Sequence, residues 1–281
     1  MKLVLKLSGK VLEEERWRRS LAEQAADLAG KGHRLLLIHG GGKQLTRYCR
    51  DQGIPVVQRQ GRRVTDQATL EAAKKVFGAL NGELAATLLS AGVPAIGIAA
   101  FDGFLTRARR RAPLRLVSPT GEGETEPIDF GMVGEIEAVD PRLIQTLWAA
   151  GYVPVVSSLC CTPEGEILNI NADTLAAELA LGLGADRLVS LSDVAGIYLD
   201  PNDPTTHIST LTLDQARGYM RSGVLLDGMI PKVENAIRVL EQGIPSFQVM
   251  SGLEEGALAH CLEGRGGTLL VASSAERPER P

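Results

Sequence analysis

Two glycine turns and a lysine between apolar residues could do chemistry together in this 281-residue sequence. Lys6 lies in an apolar run that ends at Ser8-Gly9, and a second apolar run ends at His39-Gly40-Gly41-Gly42. Backbone N–H groups at the start of a helix bind phosphate when no side chain is in the way. A lysine inside an apolar strand is costly unless its ammonium group meets an anion. The pattern favours a phosphate site; ordinary strand-to-helix turns and an edge-strand lysine are the alternative interpretation.

Three further segments carry polar residues at predicted strand ends or helix starts. In the run from Asn169 to Asp173, polar side chains alternate and an acid follows, which indicates either a site or a simple helix cap at Asp173. The run from Ser192 to Ile197 indicates a loop over a nucleotide, or a turn with a cap. Lys232 stands near a predicted helix start, where positive charge opposes the helix dipole unless an anion is bound. Together these residues fit phosphoryl transfer, which needs positioning and positive charge but little covalent chemistry.

The composition limits the possible partners and compartments. The net charge of −4 and the pI of about 5.7 give no basic field for nucleic acid or membrane. The four cysteines lack metal-ligand spacing, so we expect reduced thiols. We find no signal peptide and no apolar run near the ~20 residues that span a bilayer. We therefore expect a soluble cytoplasmic protein without nucleic-acid or membrane partners. The local basic stretch Arg107–Arg115 is either a solvated hairpin or an anion-handling lid.

The elements that must position these residues follow an α/β rhythm. Continuous apolar runs separated by helical segments predict a parallel sheet covered on both faces. The predicted strands are 2–7, 34–38, 93–98, 152–157, 187–191, 247–250 and 268–271. The predicted helices include 13–29, 66–90, 173–183, 213–221, 229–242 and 256–262, with hairpins at 54–64 and 102–138. No linker divides the chain, so we expect two lobes that share one sheet: 1–184, 185–272, and a flexible tail over 273–281.

The helix over 66–90 carries an apolar stripe that permits two interpretations. Thr65 or Asp66 is its predicted cap. The stripe either contacts a second copy of the chain or packs onto the chain's own sheet. Its members are Ala72, Ala73, Val76, Phe77 and Leu80.

Six motifs, in this order, resemble the amino-acid kinase family, and within it the N-acetylglutamate kinases. The resemblance runs from Lys2 to about Val271. The motifs are Lys6-Leu7-Ser8-Gly9, His39-Gly40-Gly41-Gly42, Gly61-Arg62-Arg63-Val64-Thr65-Asp66, Asn169-Ile170-Asn171-Ala172-Asp173, Ser192-Asp193-Val194-Ala195-Gly196 and Asp227-Gly228-Met229-Ile230-Pro231-Lys232.

This resemblance implies a fold and an activity. The fold is a three-layer α/β/α sandwich around a mainly parallel sheet. Its N-terminal lobe would bind the acyl amino acid and dimerise, and its C-terminal lobe would bind ATP. The activity is transfer of the ATP γ-phosphoryl group to the γ-carboxylate of N-acetyl-L-glutamate, in arginine biosynthesis. Mg²⁺ would be held mainly by phosphate oxygens and water, without dedicated protein ligands.

The resemblance also implies residue roles. Lys6 and Lys232 would stabilise the moving phosphoryl group, and Asp173 would hold both ammonium groups. Arg63 would bind a substrate carboxylate as a fork. Asn169, Gly41 and Gly42 would complete the substrate site. ATP would contact Gly9, Ser192, Asp193, Val194, Ala195, Gly196, Ile197, Tyr198, Val224, Leu225 and Leu226.

The sequence departs from the family pattern at two places. Ser8 stands where many relatives carry glycine. The first strand follows Met1 directly, so we expect the N-terminal helix of the arginine-inhibited hexameric relatives to be missing. This predicts a homodimer that arginine inhibits weakly or not at all.

Two other functions stay open. A carrier-linked α-aminoadipate kinase of lysine biosynthesis could use the stretch Arg107–Arg115 to bind an acidic carrier. A non-catalytic nucleotide- or amino-acid-binding regulatory module should have lost Lys6, Asp173 or Lys232, and all three are present.

Overall fold

The computed structural model describes residues 1–59, 62–115, 126–200, 202–225, 230–254 and 256–272, and of Pro231 the backbone only. Gly61, Leu226, the turn over 227–229 and the tail over 273–281, which the sequence analysis named, lie outside these residues. Within the described part of the chain, no helix is both long and apolar enough to cross a membrane. All four cysteines are free thiols, as expected.

The chain alternates strands and helices. The strands are β1 (Lys2–Leu7), β2 (Arg34–His39), β3 (Gln58–Arg59), β4 (Arg62–Arg63), β5 (Ala95–Ala99), β6 (Thr106–Arg110), β7 (Gly134–Val139), β8 (Val153–Ser157), β9 (Leu159–Cys161), β10 (Ile167–Asn169), β11 (Arg187–Ser192), β12 (Ile197–Tyr198), β13 (His207–Ile208), β14 (Thr210–Thr212), β15 (Ser246–Ser251) and β16 (Thr268–Val271). The helices are α1 (Gly9–Glu13), α2 (Glu15–Gly30), α3 (Gly42–Asp51), α4 (Gln67–Ser90), α5 (Arg142–Ala149), α6 (Ala172–Leu183), α7 (Leu213–Ser222), α8 (Ile230–Glu241) and α9 (Ala257–Leu262).

One eight-stranded sheet carries the fold, in the order β14-β16-β15-β11-β1-β2-β8-β5. Every neighbouring pair is parallel except β15 and β16, so the predicted mainly parallel sheet is confirmed. In the central register, Lys6 lies between Ser190 and Ile38. Because β11, β1 and β2 run in the same direction, the turns that follow them meet at one edge of the sheet.

Two hydrophobic clusters lie on opposite faces of the sheet, since successive side chains of a strand point to opposite sides. Val4, Leu36 and Ile38 belong to the cluster that includes buried residues of α5, α6 and α8. Leu5 and Leu37 belong to the cluster that includes buried residues of α2, α4 and α9. The helices therefore cover both faces, and the predicted three-layer sandwich is confirmed.

The predicted helix over 13–29 corresponds to α2, and the extended backbone of Glu14, with φ −101° and ψ 127°, separates it from the short helix α1. One local prediction needs correction. The apolar stripe of α4 faces inward: Ala72, Ala73 and Phe77 are buried in the chain's own core, so the prediction of a second-copy contact through them is wrong. The helix itself begins after Asp66, whose carboxylate accepts the Thr69 N–H at 2.8 Å.

The basic stretch lies on the antiparallel hairpin of β6 and β7. Arg109 pairs with Glu135 at 2.9 Å and with Glu137 at 3.3 Å. Arg110 pairs with Asp129 at 3.4 Å. These acidic neighbours offset part of the positive charge, and the arrangement resembles the solvated hairpin more than an anion-handling lid.

A backbone bridge fastens this hairpin to the segment that enters α4. Thr65 donates its N–H to the Phe130 carbonyl at 2.9 Å, and its own carbonyl accepts the Met132 N–H at 2.7 Å. Gly131, between the two partners, has φ +74°, and a Cβ there would lie 2.3 Å from the Thr65 carbonyl oxygen. Only glycine fits this close approach.

We expect Gly131→Ala to lower the free energy of unfolding by ~2–4 kcal/mol. About 1 kcal/mol comes from the left-handed backbone and the rest from the overlap with Thr65. The matched control is Gly53→Ala, at φ +67° with nothing within 4 Å of the added methyl group, which should cost only about 1 kcal/mol. Urea unfolding of both variants measures the difference, and equal losses would contradict the bridge's importance.

Candidate active site

A partly buried ion pair stands at the carboxyl end of the central strands. The Lys6 ammonium group lies 2.9 Å from Asp173 Oδ1, and the Lys6 side chain is only 14% exposed. The Asn171 side chain accepts the N–H groups of Asp173 at 2.8 Å and Thr174 at 3.1 Å. Asn171 is therefore the cap of α6, and the alternative interpretation of Asp173 as a simple cap is wrong. The Asp173 carboxylate is free of capping and holds Lys6 instead.

Each of the two glycine turns contacts the start of a neighbouring helix. A Cβ on Gly40 would lie 3.3 Å from Ala172 Cβ, so this turn touches the start of α6. A Cβ on Gly41 would lie 2.6 Å from Leu80 Cδ1, which leaves no room for a side chain. The Gly9 carbonyl accepts the Gln44 amide at 2.8 Å and so joins the other turn to α3. The first turns of α1, α3 and α6 thus converge, an arrangement that favours bound phosphate.

Asp193 follows β11 and meets two lysines that the sequence analysis missed. Its carboxylate lies 3.5 Å from the Lys10 ammonium group and 3.9 Å from that of Lys43. Partial burial alone would raise the pKa of Asp193, but its own backbone N–H and the two lysines together lower that pKa. The sequence contained one indication of their role: Lys10 and Lys43 each directly follow a glycine turn. They add positive charge beside the proposed phosphate site.

In the Arg63 guanidinium group, Nη2 makes hydrogen bonds, whereas Nη1 has none among the described residues. Its Nη2 donates to the Gly42 carbonyl at 3.0 Å and to Thr46 Oγ1 at 2.6 Å. Its Nη1 is buried and has no hydrogen-bond partner among the described residues. Burial lowers the pKa of Arg63, but a guanidinium group stays charged. A buried cationic donor without a partner fits an anionic ligand.

Asn169 ends β10 beside the same segment. Its amide Nδ2 donates to Thr65 Oγ1 at 3.1 Å, and its backbone N–H donates to the Met132 carbonyl at 2.9 Å. Thr65, which is fully buried, thereby orients Asn169, and it follows Arg63 by two residues. The structure brings these two predicted substrate residues to one side of the turn at Gly42.

The predicted nucleotide loop connects β11 to β12, and contacts with Thr268 and His207 hold it in place. The Ile197 N–H donates to Thr268 Oγ1 at 2.7 Å. The Tyr198 ring stacks at a tilt on His207, with 5.0 Å between the ring centroids. A Cβ on Gly196 would lie 2.5 Å from His207 Nε2. Within the same loop, Ser192 is buried, whereas Val194 and Ala195 are half-buried.

The remaining predicted residues lie on and before α8. Val224 is exposed, and Leu225 is buried in the core. Lys232 is half-buried in the first turn of α8. This helix is tied to α6 by an ion pair of Arg238 with Glu178 at 3.0 Å. Lys232 therefore lies in the first turn of a helix that packs beside α6, whose first turn holds Asp173.

The sequence profile described as the Amino acid kinase family matches residues 1–249. This chain belongs to the amino acid kinase family. The match covers β1, both glycine turns, α6, the nucleotide loop and all of α8, whereas Thr268, which supports that loop, lies beyond it. A kinase of this family uses ATP as its co-substrate, which accounts for a site rich in lysines and free helix starts.

Curated relatives cover almost the whole chain. The acetylglutamate kinase of Myxococcus xanthus is 38% identical over 279 residues, which is 98% of this chain and 90% of the relative. That of Methanothermobacter thermautotrophicus is 36% identical over 258 residues, which is 92% of this chain and 88% of the relative.

Solved structures share the fold. An N-acetylglutamate synthase from Neisseria gonorrhoeae, solved with coenzyme A and N-acetyl-glutamate, has a TM-score of 0.79 at 26% identity. The match covers 97% of this kinase but only 60% of that longer chain. A carbamate kinase from Giardia lamblia bound to AMP-PNP has a TM-score of 0.68 at 16% identity, with 97% and 98% of the two chains covered. The likeness to this carbamate kinase shows a shared fold and no more.

The carboxylates of the site face lysines. Asp173 holds Lys6, and Asp193 holds Lys10 and Lys43. In the described part of the chain, no three His, Cys, Asp or Glu side chains form a group that could hold a metal ion.

Proposed function

We propose that this amino acid kinase transfers the γ-phosphoryl group of ATP to the γ-carboxylate of N-acetyl-L-glutamate and forms N-acetyl-L-glutamyl 5-phosphate in arginine biosynthesis, in the cytoplasm. The observation that carries the proposal is the Lys6–Asp173 pair among three converging helix starts, with the half-paired Arg63 beside it. Relatives that bear the name acetylglutamate kinase at 36–38% identity support the choice of acceptor.

The proposed reaction needs no protein nucleophile. A carboxylate acceptor is already an anion, so the protein has only to place it in line with the γ-phosphoryl group and offset the charge. Lys6 supplies positive charge from β1, and Lys232 supplies it from α8. Asp173 keeps Lys6 oriented, and the N–H groups of Gly9 and Gly41 bind oxygens. Mg²⁺ bound with ATP would be held mainly by phosphate oxygens and water and would offset part of the negative charge of the phosphates.

We further propose that the chain works as two lobes, 1–184 for the acyl amino acid and 185–272 for ATP. The order of the sheet supports this division. Strands β1, β2, β8 and β5 form one side of the sheet, and strands β11, β15, β16 and β14 form the other. The nucleotide loop at Asp193 then belongs to one half, and Arg63 and Asn169 belong to the other.

Removal of either lysine should abolish most of the turnover. We expect Lys6→Met and Lys232→Met each to lower kcat by ~10²–10⁴, about 3–5 kcal/mol of barrier, because each removes positive charge from the transferring group. An ATP-coupled assay with N-acetylglutamate measures kcat. Lys31→Met is the control, since Lys31 pairs with Asp27 on the surface of α2. Near-normal turnover in both site variants would refute the assignment.

The substrate role of Arg63 has its own test. Arg63→Lys keeps the charge but loses the planar fork, so the KM for N-acetylglutamate should rise tenfold or more, roughly 1.4 kcal/mol. The KM for ATP should stay nearly constant, because the hydrogen bonds of Arg63 go to Gly42 and Thr46. A rise in the KM for ATP alone would instead assign Arg63 to the nucleotide site.

We also propose a homodimer, formed through the outer face of α4. Gly78, Gly82 and Ala86 follow one another at four-residue spacing on this face, all exposed, with Leu89 56% exposed in the next turn. Small residues at this spacing allow two helices to approach closely. The helix also packs beside β5, which is the edge strand of the sheet and is partly exposed.

Light scattering should give twice the chain mass for the unmodified protein. Gly82→Arg should give the monomer mass with an unchanged far-ultraviolet spectrum, because nothing lies within 4 Å of a Cβ at Gly82 in the isolated chain. This interface would be refuted if the unmodified protein were monomeric at all concentrations, or if the Gly82→Arg variant remained dimeric.

A further inference from the structure

We propose that His39 and Asn81 are positioning residues that fix the Gly40–Gly41 peptide so that the Gly41 N–H points into the active site. This inference rests on the proposed function, because it gives that N–H an oxygen of the substrates as its partner. The residues belong to different elements. His39 is the last residue of β2, and Asn81 lies in the middle of α4.

The two side chains form a buried chain of hydrogen bonds. His39 is 0% exposed and Asn81 is 8% exposed. His39 Nδ1 lies 2.8 Å from the Gly40 carbonyl oxygen, and His39 Nε2 lies 3.1 Å from Asn81 Nδ2. Asn81 Nδ2 also lies 3.0 Å from the Val155 carbonyl oxygen, in strand β8, and 3.4 Å from the Ile98 carbonyl oxygen, so His39 Nε2 and Val155 are its two nearest partners. The chain thus runs from the sheet, through the asparagine and the imidazole, to the glycine turn.

The partners determine which ring nitrogen carries the proton. The Val155 carbonyl can only accept, so the Asn81 atom that faces it must be the amide nitrogen, which donates. The same nitrogen donates to His39 Nε2, which must therefore accept. In a neutral imidazole the proton then lies on Nδ1, which donates to the Gly40 carbonyl. Burial lowers the pKa of His39 to about 4, so the ring is neutral at physiological pH.

The direction of one peptide follows from this bond. The described peptides include no cis bond, and in a trans peptide the carbonyl and the next N–H point in opposite directions. His39 draws the Gly40 carbonyl towards the interior, so the Gly41 N–H points away from it, to the side where α3 and α6 begin. The neighbour of Asn81 shapes the same turn, since Leu80 occupies the space that a Gly41 side chain would need.

The Gly40–Gly41 peptide needs such a hydrogen bond to keep its orientation. Glycine has no Cβ to restrict its backbone, so a Gly-Gly peptide can rotate more easily than others. The rotated peptide would present a carbonyl oxygen to phosphate or carboxylate oxygens, which would repel it. A donor contributes to transition-state stabilisation only when it is already oriented. The buried imidazole therefore affects the rate of the reaction, beyond any part it has in stability.

Two substitutions at His39 separate the positioning role from a packing role. The amide nitrogen of an asparagine side chain occupies nearly the place of Nδ1, and that of glutamine the place of Nε2. His39→Asn therefore keeps the donor to Gly40, whereas His39→Gln loses it. We expect His39→Asn to keep kcat/KM for N-acetylglutamate within about threefold. We expect His39→Gln to lower it about tenfold or more, in line with the loss of an oriented donor.

Stability is measured beside activity. Both variants should lose similar unfolding free energy, because both leave space in the same buried site. Thr106→Val is the control for a buried hydrogen bond elsewhere, since Thr106 donates to the Ala100 carbonyl at 2.7 Å, and its kcat/KM should be unchanged. Activities of the asparagine and glutamine variants that fall equally, in proportion to stability, would overturn the positioning role.

A readout that needs no turnover distinguishes this inference from the proposed function. In ¹⁵N NMR of the unmodified protein, His39 should show a protonated Nδ1 and an unprotonated Nε2, and AMP-PNP or N-acetylglutamate should shift the Gly41 amide signal. An Nε2–H tautomer, or a Gly41 signal that neither compound moves, would overturn the inference. Absence of turnover with N-acetylglutamate, alongside the expected NMR signals, would refute the proposed acceptor and leave the positioning role supported.

Discussion

The cost of placing an ammonium group inside a β-sheet determines much of this structure. Lys6 is flanked by leucines in a strand with neighbours on both sides, so its charge must be offset within reach of its side chain. Asp173 meets that need, and it can do so only if α6 begins at that place. The start of α6 requires Asn171 as a cap and Gly40 as a neighbour without a side chain. One largely buried charge thus constrains a strand, a helix start and a turn.

Most of the fold could be predicted from the sequence because its strands are continuous apolar runs. The central strands β1, β2 and β11 lie within one residue of their predicted limits, since a strand buried on both faces is a nearly continuous apolar run. The grouping of Lys6 with the glycine turns was also predictable. Parallel strands bring their carboxyl ends to one edge, wherever those strands stand in the sequence.

Some features could not be predicted, because they depend on contacts between distant segments or on which of two nearby residues takes a given role. Asp193 meets Lys10 and Lys43 across more than a hundred residues of sequence, and no local pattern reports that contact. Asn171 and Asp173 are both good caps, and the sequence alone does not decide between them. The inner face of α4 is apolar, but its outer face also carries small residues, so the pattern did not reveal which face the core would take.

The continuity of the sheet has a mechanical consequence. Strands β1 and β11 are joined in register from Leu3 with Arg187 to Leu7 with Leu191, and the two proposed lobes would meet along this pairing. A movement of one lobe against the other would therefore have to twist a hydrogen-bonded sheet, whereas lobes that are joined only by a loop could move by bending that loop.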